Sequence, residues 1–326
     1  MTGEDREAGM TMADRVDKVL DEGAAPALHG LVVVRGGRVV LERYGAGDDH
    51  HLNRPLGHVT FEPDTLHDVR SVTKSVVALL YGIALADGLV PEPGESLLRQ
   101  FPEYPDLVAD PVRARLTVEH ALTMTLGLEW DESVPYTSTA NSEIAMEAAP
   151  DRHRYVLERP IVEEPGRRWL YCGGAAALIG RLVAVGTGRP LAEFARTALF
   201  EPLGIGSYAW AKGADGVEMA AAGLRLTPRA LAAIGALVLD GGRGIVPGDW
   251  LAELTRPRVP IDDRRRYGYQ WYVGTGSPRW IAAHGNGGQR VYVAPERDLV
   301  VAVTAGDYGD PAQPSTTAVL DELLKE

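Results

Sequence analysis

The sequence places strand-like segments near both ends of the chain and a long helical stretch between them, and this order constrains the fold most strongly. Leu31–Arg35 and Val39–Arg43 are rich in β-branched residues, and Gly36 and Gly37 between them are typical of a two-residue hairpin turn. The C-terminal part carries four more strand-like segments, at Tyr267–Val273, Trp280–Ala283, Gln289–Val293 and Leu299–Thr304.

Helical patterns dominate much of the remaining sequence. Between the two groups of strands, helices are predicted at Val118–Met124, Ser142–Ala149, Arg152–Leu157, Ala175–Val185 and Leu191–Leu199. Four more helices are predicted, at residues 11–22, 71–86, 227–239 and 314–325. Residues 45–66 are rich in His, Asp and Pro and are expected to form a polar loop.

This order predicts an α/β protein of the α+β type. One antiparallel sheet would be built from both chain ends and flanked by helices, with a mostly helical lobe inserted between them. We expect an α/β lobe from residues 11–90 plus 224–326 and a helical lobe from residues 91–223. A chain of 326 residues is long enough for two lobes that share a core, so residues 1–326 are expected to form one unit.

Composition and charge exclude several classes of partner. The formal net charge of −12 argues against nucleic acid and against an anionic membrane surface, because both are bound through basic faces. Cys172 is the only cysteine, which excludes an internal disulfide framework and a cysteine-based zinc site. Residues 1–21 lack the apolar segment of a signal peptide, and no run approaches about 18 apolar residues, so a cytoplasmic protein without membrane contact is expected.

Ser71 and Lys74, at the start of a predicted helix, are the first candidates for chemistry. Residues three apart share a helix face, with Cβ atoms about 5–6 Å apart. A serine hydroxyl needs a neighbouring base, and a lysine can be that base only if burial or another cation lowers its pKa. The helix N-terminus supplies partial positive charge and free N–H groups, which suit an oxyanion. This S-x-x-K pattern is a known nucleophile motif, and an ordinary polar first turn is the alternative.

Two further stretches would complete such a site. Tyr171 precedes a predicted helix, and a phenol beside a lysine ammonium has a lowered pKa that would suit proton transfer. The alternative is a packed structural tyrosine. Residues 283–289 carry three glycines between apolar strands, which would let a ligand approach the backbone. His284 in this stretch is either a substrate contact or a satisfied loop histidine. No helix follows these glycines, which excludes a dinucleotide fingerprint.

Together, these residues resemble the serine β-lactamase and penicillin-binding-protein-like superfamily, in particular its branch of class C β-lactamases, carboxylesterases and 6-aminohexanoate-dimer hydrolases. The resemblance spans residues 27–322. It includes residues 116–128, which are similar to the family segment L-T-x-x-x-L-L-x-x-x-S-G-L, and shorter landmarks at 165–166, 178–180 and 202–204. It implies a β-lactamase/transpeptidase-like fold that forms a single catalytic unit.

The resemblance also implies roles for individual residues. Ser71 would be the nucleophile and Lys74 its activating base. Tyr171 matches the tyrosine of the family's Y-x-N motif, which implies a general acid/base role in acylation and in activating the deacylating water. The triplet that begins at His284 and ends at Asn286 stands where these enzymes have K-T-G or H-x-G, so both residues are expected to contact the substrate.

The oxyanion hole is expected to consist of the backbone N–H groups of Ser71 and Gly287. Two departures from the family pattern bear on the substrate. Gly173 replaces the Asn or Ser of Y-x-N and removes a donor to the substrate amide, while His284 replaces a lysine that faces the β-lactam carboxylate. A histidine with its usual pKa of about 6.5 is mostly neutral at pH 7, so both departures favour esters or small amides. Tyr136 is expected to line the acyl pocket, with a surface-loop tyrosine as the alternative.

We therefore expect a serine hydrolase that works through a covalent acyl-enzyme on Ser71, most simply a carboxylesterase acting on short acyl esters. Hydrolysis of small linear amides, or weak β-lactamase activity, is one alternative. A non-catalytic binding or sensor module with the same fold is another. The expected partner is a small-molecule ester or amide, and the chemistry requires neither a metal nor another cofactor.

Overall fold

The computed structural model describes residues 10–325 of the chain. The strands are β1 (Leu28–Arg35), β2 (Arg38–Tyr44), β3 (Ala46–His51), β4 (Arg54–Thr60), β5 (His67–Asp68), β6 (Ala209–Trp210), β7 (Leu224–Leu226), β8 (Val259–Pro260), β9 (Arg265–Tyr267), β10 (Tyr272–Gly274), β11 (Ile281–Gly285), β12 (Gln289–Ala294) and β13 (Leu299–Ala305). The α-helices are α1 (Met12–Asp21), α2 (Val72–Ala86), α3 (Pro105–Val108), α4 (Val118–Leu122), α5 (Ser142–Glu147), α6 (Arg152–Leu157), α7 (Gly173–Thr187), α8 (Leu191–Ala195), α9 (Pro228–Leu239), α10 (Gly248–Leu254) and α11 (Pro314–Leu323).

The main sheet joins the two ends of the chain. Its eight strands follow the order β2-β1-β13-β12-β11-β10-β9-β8, and neighbouring strands are antiparallel. Leu31 of β1 pairs with Val303 of β13. Gly36 and Gly37, between β1 and β2, have φ angles of 58° and 69°, the left-handed values that a tight hairpin turn requires. The predicted fold class is confirmed.

Helices cover both faces of this sheet. On one face, α1 and α11 share an apolar cluster with the sheet that includes Val33, Val301 and Val319. On the other face, α2 and α9 contribute to the larger core, which includes Val32 and Val76. All seven residues of β13 are buried, because helices pack on both of its faces. This double burial explains the continuous apolar run in the strand.

The segment between α2 and β7 consists of helices and irregular chain, apart from the short strand β6. Within it, α7 packs against α2 and also contacts α4 and α6. The helix predicted at 175–185 begins earlier, at Gly173, directly after Tyr171 and Cys172. Tyr171 therefore lies at the entrance to α7, on the side that faces the first turn of α2.

The prediction of a polar loop for residues 45–66 is wrong, because most of this stretch forms the β3–β4 hairpin. These two strands form a separate two-stranded sheet. They largely lack an apolar face and so lack the alternation that identifies a half-buried strand. An ion pair of 2.6 Å between Asp49 and Arg225, both largely buried, anchors the hairpin to β7.

The prediction of a single strand at 267–273 is also wrong, because two short strands, β9 and β10, share this region. Between them, Gln270 has a φ of 59°, and its backbone N–H donates to the carbonyl oxygen of Leu122, at 3.0 Å. The chain therefore leaves the sheet to contact the end of α4. Helix α10 was not predicted. Its Trp250 packs so closely on Gly82 of α2 that a Cβ at Gly82 would lie 1.9 Å from the indole ring.

Candidate active site

Ser71 occupies the N-cap position of α2 and is held there by the turn that precedes it. Arg70 has a φ of 50°, a strained left-handed value for a non-glycine residue. The buried Asp68 supports this conformation, because its Oδ1 accepts the backbone N–H of Arg70 at 2.9 Å. Strand β11 approaches from the other side. A Cβ on Gly285 would lie 2.5 Å from the carbonyl oxygen of Val69, so only glycine allows this approach.

Lys74 is the hydrogen-bond partner of Ser71. Its Nζ lies 3.0 Å from Ser71 Oγ, 3.2 Å from Glu143 Oε2 and 2.7 Å from the carbonyl oxygen of Ala221. An ammonium group has three protons, so these three acceptors satisfy it fully. Lys74 is 1% exposed. The structure therefore brings the two residues of the S-x-x-K motif together and surrounds the lysine with acceptors.

The pKa of Lys74 is raised above its usual value of 10.5. Burial by itself lowers this pKa, but the carboxylates of Glu143 and Glu132 outweigh burial. Lys74 could act as a base only if its pKa were lowered, and the resting site does not meet that condition. Lys74 is therefore an ammonium ion before substrate binds.

Tyr171 faces the same pair of residues. Its ring centroid lies 4.9 Å from Lys74 Nζ. Burial raises the pKa of Tyr171 well above 10, with Tyr272 and nearby carboxylates adding to the effect, while a hydrogen bond with Ser71 acts in the opposite direction. The expectation that the lysine ammonium lowers this pKa is therefore wrong. Tyr171 remains a neutral phenol that can donate a proton to a leaving group.

Two carboxylates beside Lys74 were not anticipated from the sequence. Glu132 Oε1 accepts the backbone N–H of Gly173 at 2.5 Å, and its Oε2 accepts the hydroxyl of Tyr136 at 2.8 Å. Burial, followed by the charge of Glu143, raises the pKa of Glu132 to about 7. Both carboxylates reach the site from the segment between α4 and α7, where no local pattern marks them as functional.

Gly173 is the signal that could have revealed Glu143. A Cβ built on Gly173 would lie 2.2 Å from Glu143 Oε2. The carboxylate therefore occupies the space that a side chain would need at the third position of the Y-x-N motif. Cys172, between Tyr171 and Gly173, is buried, and burial raises the pKa of its thiol, so it is not an activated nucleophile.

A cavity of about 140 Å³ opens beside Ser71. Apolar side chains, among them Ile144 and Met219, form much of its wall, together with Tyr136 and Asn286. Two of the residues that the sequence assigned to substrate binding therefore face a common space with the proposed nucleophile. The size and character of this space suit a small apolar group.

The tip of the β3–β4 hairpin closes one side of this cavity. Leu52 and Asn53 line it. Leu52 is held by its backbone N–H, which donates to Asp68 Oδ2 at 2.5 Å, and by Arg70, which donates to its carbonyl oxygen. Asn53 Nδ2 donates to the carbonyl oxygen of Tyr136 at 2.6 Å. The hairpin thus connects the turn before Ser71 to the opposite wall.

His284 lies on β11 and contacts aromatic rings of the sheet. Its ring stacks on Tyr272, with centroids 4.2 Å apart and an interplanar angle of 15°, and lies parallel to Trp280 at 6.4 Å. Burial lowers the pKa of His284 well below 6.5, and Arg290 and Arg265 lower it further. The ring is therefore neutral at pH 7, in agreement with the sequence argument. It is set back from the residues that line the cavity beside Ser71.

Gly287 lies between β11 and β12 with a φ of 85°. Its carbonyl oxygen accepts the backbone N–H of Asp307 at 3.1 Å. A Cβ at this position would lie 2.5 Å from the ring of Tyr308, so the position requires glycine for both backbone conformation and space. The neighbouring Asn286 lines the cavity, which keeps this turn close to Ser71.

Within residues 10–325, we find no group of three or more His, Cys, Asp and Glu side chains placed to hold a metal ion. Among the helices in the same range, none combines the length and apolar character needed to cross a membrane.

Comparison with known proteins identifies relatives by sequence. The family model described as Beta-lactamase matches residues 12–324. The chain is also 28% identical over 206 residues to esterase EstB from Burkholderia gladioli. This match covers 60% of the chain and 50% of the esterase, so the chain spans about half the length of that relative.

Solved structures share the fold at low sequence identity. EstCE1, a hydrolase with promiscuous acyltransferase activity, has a TM-score of 0.78 and 16% identity over 96% of this chain and 98% of its own. A Bacillus anthracis protein assigned by prediction as a 6-aminohexanoate-dimer hydrolase has a TM-score of 0.76 and 17% identity over 94% of this chain and 79% of its own. A penicillin-binding protein from Bacillus halodurans has a TM-score of 0.70 and 15% identity over 94% of this chain and 98% of its own. The resemblance drawn from the sequence motifs is confirmed, and the chain belongs to the Beta-lactamase family.

Proposed function

We propose that this chain is a serine hydrolase that cleaves short-chain carboxylic esters through a covalent acyl-enzyme on Ser71. The observation that carries the proposal is the 3.0 Å contact between Ser71 Oγ and Lys74 Nζ at the first turn of α2, beside a small, largely apolar cavity. A nucleophile, a proton-transfer partner and an acyl pocket therefore adjoin one another. Membership of the Beta-lactamase family and the similarity to esterase EstB support the proposal.

Acylation begins with attack of Ser71 Oγ on the ester carbonyl carbon. Lys74 must first give up a proton from its resting ammonium form. The resulting amine takes the hydroxyl proton of Ser71 as the new C–O bond forms, and negative charge develops on the carbonyl oxygen. We assign stabilisation of this oxyanion to the backbone N–H groups of Ser71 and Gly287. The position of Ser71 at the start of α2 adds the favourable end of the helix dipole.

Collapse of the tetrahedral intermediate expels the alcohol, which must take up a proton. Tyr171 is protonated and interacts with the hydroxyl of Ser71, so we assign it the role of proton donor to the leaving group. Lys74, whose Nζ lies 4.9 Å from the centre of the phenol ring, would return a proton to Tyr171. A water molecule then attacks the acyl carbon by the reverse sequence of proton transfers, which releases the acid and regenerates Ser71.

The charges around the cavity favour neutral esters over β-lactams. His284 stands where the related β-lactamases have a lysine, but it is neutral and set back from the cavity, so the carboxylate of a penicillin finds no cation at that position. It would also approach the side chains of Glu143 and Glu147, which line the cavity and form ion pairs with Lys74 and Arg152. Because these two cations are already paired, we expect β-lactam turnover to be slow.

Hydrolysis of small linear amides is a second candidate, and it is favoured by the same two carboxylates. Glu143 or Glu147 could pair with an ammonium group on the acyl chain of an amino-substituted substrate. Such a substrate should be cleaved faster than its uncharged analogue of equal length. Comparison of p-nitroanilides with and without a terminal amine would reveal this preference.

The primary test compares wild type with Ser71→Ala on p-nitrophenyl butyrate, with a chromogenic cephalosporin run in parallel. We expect ester turnover by wild type, slow or absent cephalosporin turnover, and a loss of about 10³-fold or more in kcat for Ser71→Ala. Equal turnover by the variant would overturn the assignment of Ser71. Faster turnover of the cephalosporin than of the ester would overturn the assignment of substrate class.

A further inference from the structure

We propose that Glu143 is the proton acceptor that converts Lys74 into the base for Ser71, so that protons move along the line from Ser71 through Lys74 to Glu143. This inference rests on the proposed function, because it specifies how the serine is activated. It assigns a role to a residue that lies 69 positions from Lys74 in the sequence.

The geometry provides a continuous hydrogen-bonded path. Lys74 Nζ lies 3.0 Å from Ser71 Oγ and 3.2 Å from Glu143 Oε2. The Glu143 side chain is 6% exposed and the Lys74 side chain 2% exposed, so bulk water does not compete for these contacts. Asn141 fixes the position of Glu143, because its buried side chain accepts the backbone N–H groups of Glu143 and Ile144 at the start of α5.

Gly173 shows that the site is built around this carboxylate. The backbone at Gly173 is not in the left-handed region, so its conformation does not require glycine. Space does require it, because a Cβ would lie 2.2 Å from Glu143 Oε2 and 3.0 Å from Glu143 Cγ. Gly173 and Glu143 therefore form a matched pair, in which the missing side chain makes room for the carboxylate beside Lys74.

The proposed step balances without any further reactant. Lys74 transfers one ammonium proton to Glu143 Oε2, which leaves a neutral amine and a neutral carboxylic acid. The amine then takes the hydroxyl proton of Ser71 as the serine oxygen bonds to the carbonyl carbon. After this step Lys74 is again an ammonium ion, Glu143 holds the extra proton, and the negative charge lies on the substrate oxyanion. Lys74 then supplies a proton, through Tyr171, to the leaving group. Glu143 finally returns its extra proton to Lys74.

Several charged or titratable neighbours of Glu143 bear on this transfer. Lys74 faces it from α2, Glu132 and Tyr136 from the segment before α5, Tyr171 from the entrance to α7, and Glu147 from its own helix. The raised pKa of Lys74 means that the lysine must lose a proton before it can accept one. Glu143 is the carboxylate in hydrogen-bond contact with Lys74.

The test measures the rate at which a fluorophosphonate probe modifies Ser71, as a function of pH between about 5 and 10. This reaction reports serine activation alone and needs no knowledge of the natural ester. In wild type, the acidic limb of the profile reports protonation of the Lys74–Glu143 pair as a unit. Glu143→Gln keeps the size of the side chain and one hydrogen-bond acceptor. In this variant, the acidic limb would report protonation of the lysine amine alone.

We expect Glu143→Gln to shift the acidic limb to higher pH by more than one unit. At pH 7 the modification rate should fall about 10-fold or more, with recovery near the alkaline end of the range. Gly173→Ala should produce the same alkaline shift with the carboxylate intact, because the new methyl group displaces it. Glu143→Asp, which restores a titratable acceptor, should return the limb toward its wild-type position.

Glu147→Gln is the matched control. Glu147 lies one turn further along α5 and faces the same cavity, but it forms an ion pair with Arg152 at 3.0 Å and has no hydrogen bond to Lys74 among the described residues. The acidic limb of the Glu147→Gln profile should shift by less than half as much as that of Glu143→Gln. An unchanged limb in Glu143→Gln, or a shift to lower pH, would overturn the relay while leaving the serine hydrolase intact. Failure of the probe to modify wild-type Ser71 would overturn both proposals.

Discussion

Lys74 and His284 are basic side chains that lie close to the turn carrying Ser71, yet their surroundings move their pKa values in opposite directions. On the helical side, burial is outweighed by Glu143 and Glu132, and the pKa of Lys74 is raised. On the sheet side, burial is reinforced by Arg290 and lowers the pKa of His284. The difference teaches that the sign of the neighbouring charges, rather than burial itself, decides which base keeps its proton.

This contrast separates two tasks within the site. The helical side keeps a cation and carboxylates beside the nucleophile, where they can exchange protons. The sheet side carries a neutral histidine stacked on Tyr272 at the position where the related β-lactamases have a lysine. A site with this division suits proton transfer to and from an uncharged ester better than recognition of an anionic β-lactam.

The largest effect in this comparison is expected at Tyr171. Tyr171→Phe keeps the ring against Lys74 but removes the hydroxyl that we assign to leaving-group protonation. We expect kcat for ethyl butyrate, whose ethanol leaving group must be protonated, to fall by about 10²–10⁴-fold with little change in KM. The loss should be smaller for p-nitrophenyl butyrate, because p-nitrophenolate leaves as a stable anion. Wild-type kcat for ethyl butyrate in this variant would show that another group supplies the proton.

A second prediction concerns the effect of Glu132 on the free energy of unfolding. The pKa of Glu132 is raised to about 7, above its ordinary value of 4.5. A carboxyl group whose folded-state pKa is raised contributes its full stability below pH 4.5 and loses that contribution as pH rises through 7. We therefore expect this residue to reduce the free energy of unfolding by about 1–3 kcal/mol between pH 5 and pH 8.

Urea denaturation at the two pH values checks this effect. Glu132→Gln should lose less stability between pH 5 and pH 8 than wild type, because the amide does not titrate. Glu296→Gln, at the exposed turn before β13, serves as the control and should follow wild type. A Glu132→Gln variant with the full pH dependence of wild type would show that Glu132 is already ionised without cost in the folded protein.

Part of this contrast between Lys74 and His284 could be predicted from the sequence, and part could not. The pairing of Ser71 with Lys74 follows from local helix geometry, and the sheet follows from β-branched runs at both chain ends. The partners that set the pKa of Lys74 depend on long-range packing, because Glu143 lies 69 residues away from it. The absence of a side chain at Gly173 was visible, but the carboxylate that fills the space was not.

The β3–β4 hairpin shows the same limit for secondary structure. Its strands are mostly polar because they form a separate ribbon, so hydrophobic periodicity could not identify them. The tip of this ribbon nevertheless supplies Leu52 and Asn53 to the cavity. Prediction therefore succeeded where a local hydrophobic pattern marks the element and failed where no such pattern exists.

The smallest effect is expected on the sheet side. His284→Gln removes a ring that is already neutral, so kcat/KM for the ester should stay within about threefold of wild type from pH 6 to pH 8. His284→Lys is the matched variant. It places a cation near Arg290 and Arg265 without a carboxylate partner, and it should not confer rapid cephalosporin turnover. A large gain in cephalosporin hydrolysis would show that the sheet side lacks only a charge.

The central claim, acylation of Ser71, is tested most directly by finding which residue carries the acyl group during turnover. Wild type mixed with p-nitrophenyl butyrate, quenched rapidly in acid and digested, would be mapped by mass spectrometry. We expect the butyryl group on the peptide that contains Ser71, and no adduct in Ser71→Ala. A butyryl group on Cys172, or undiminished turnover by Ser71→Ala without any adduct, would contradict the account.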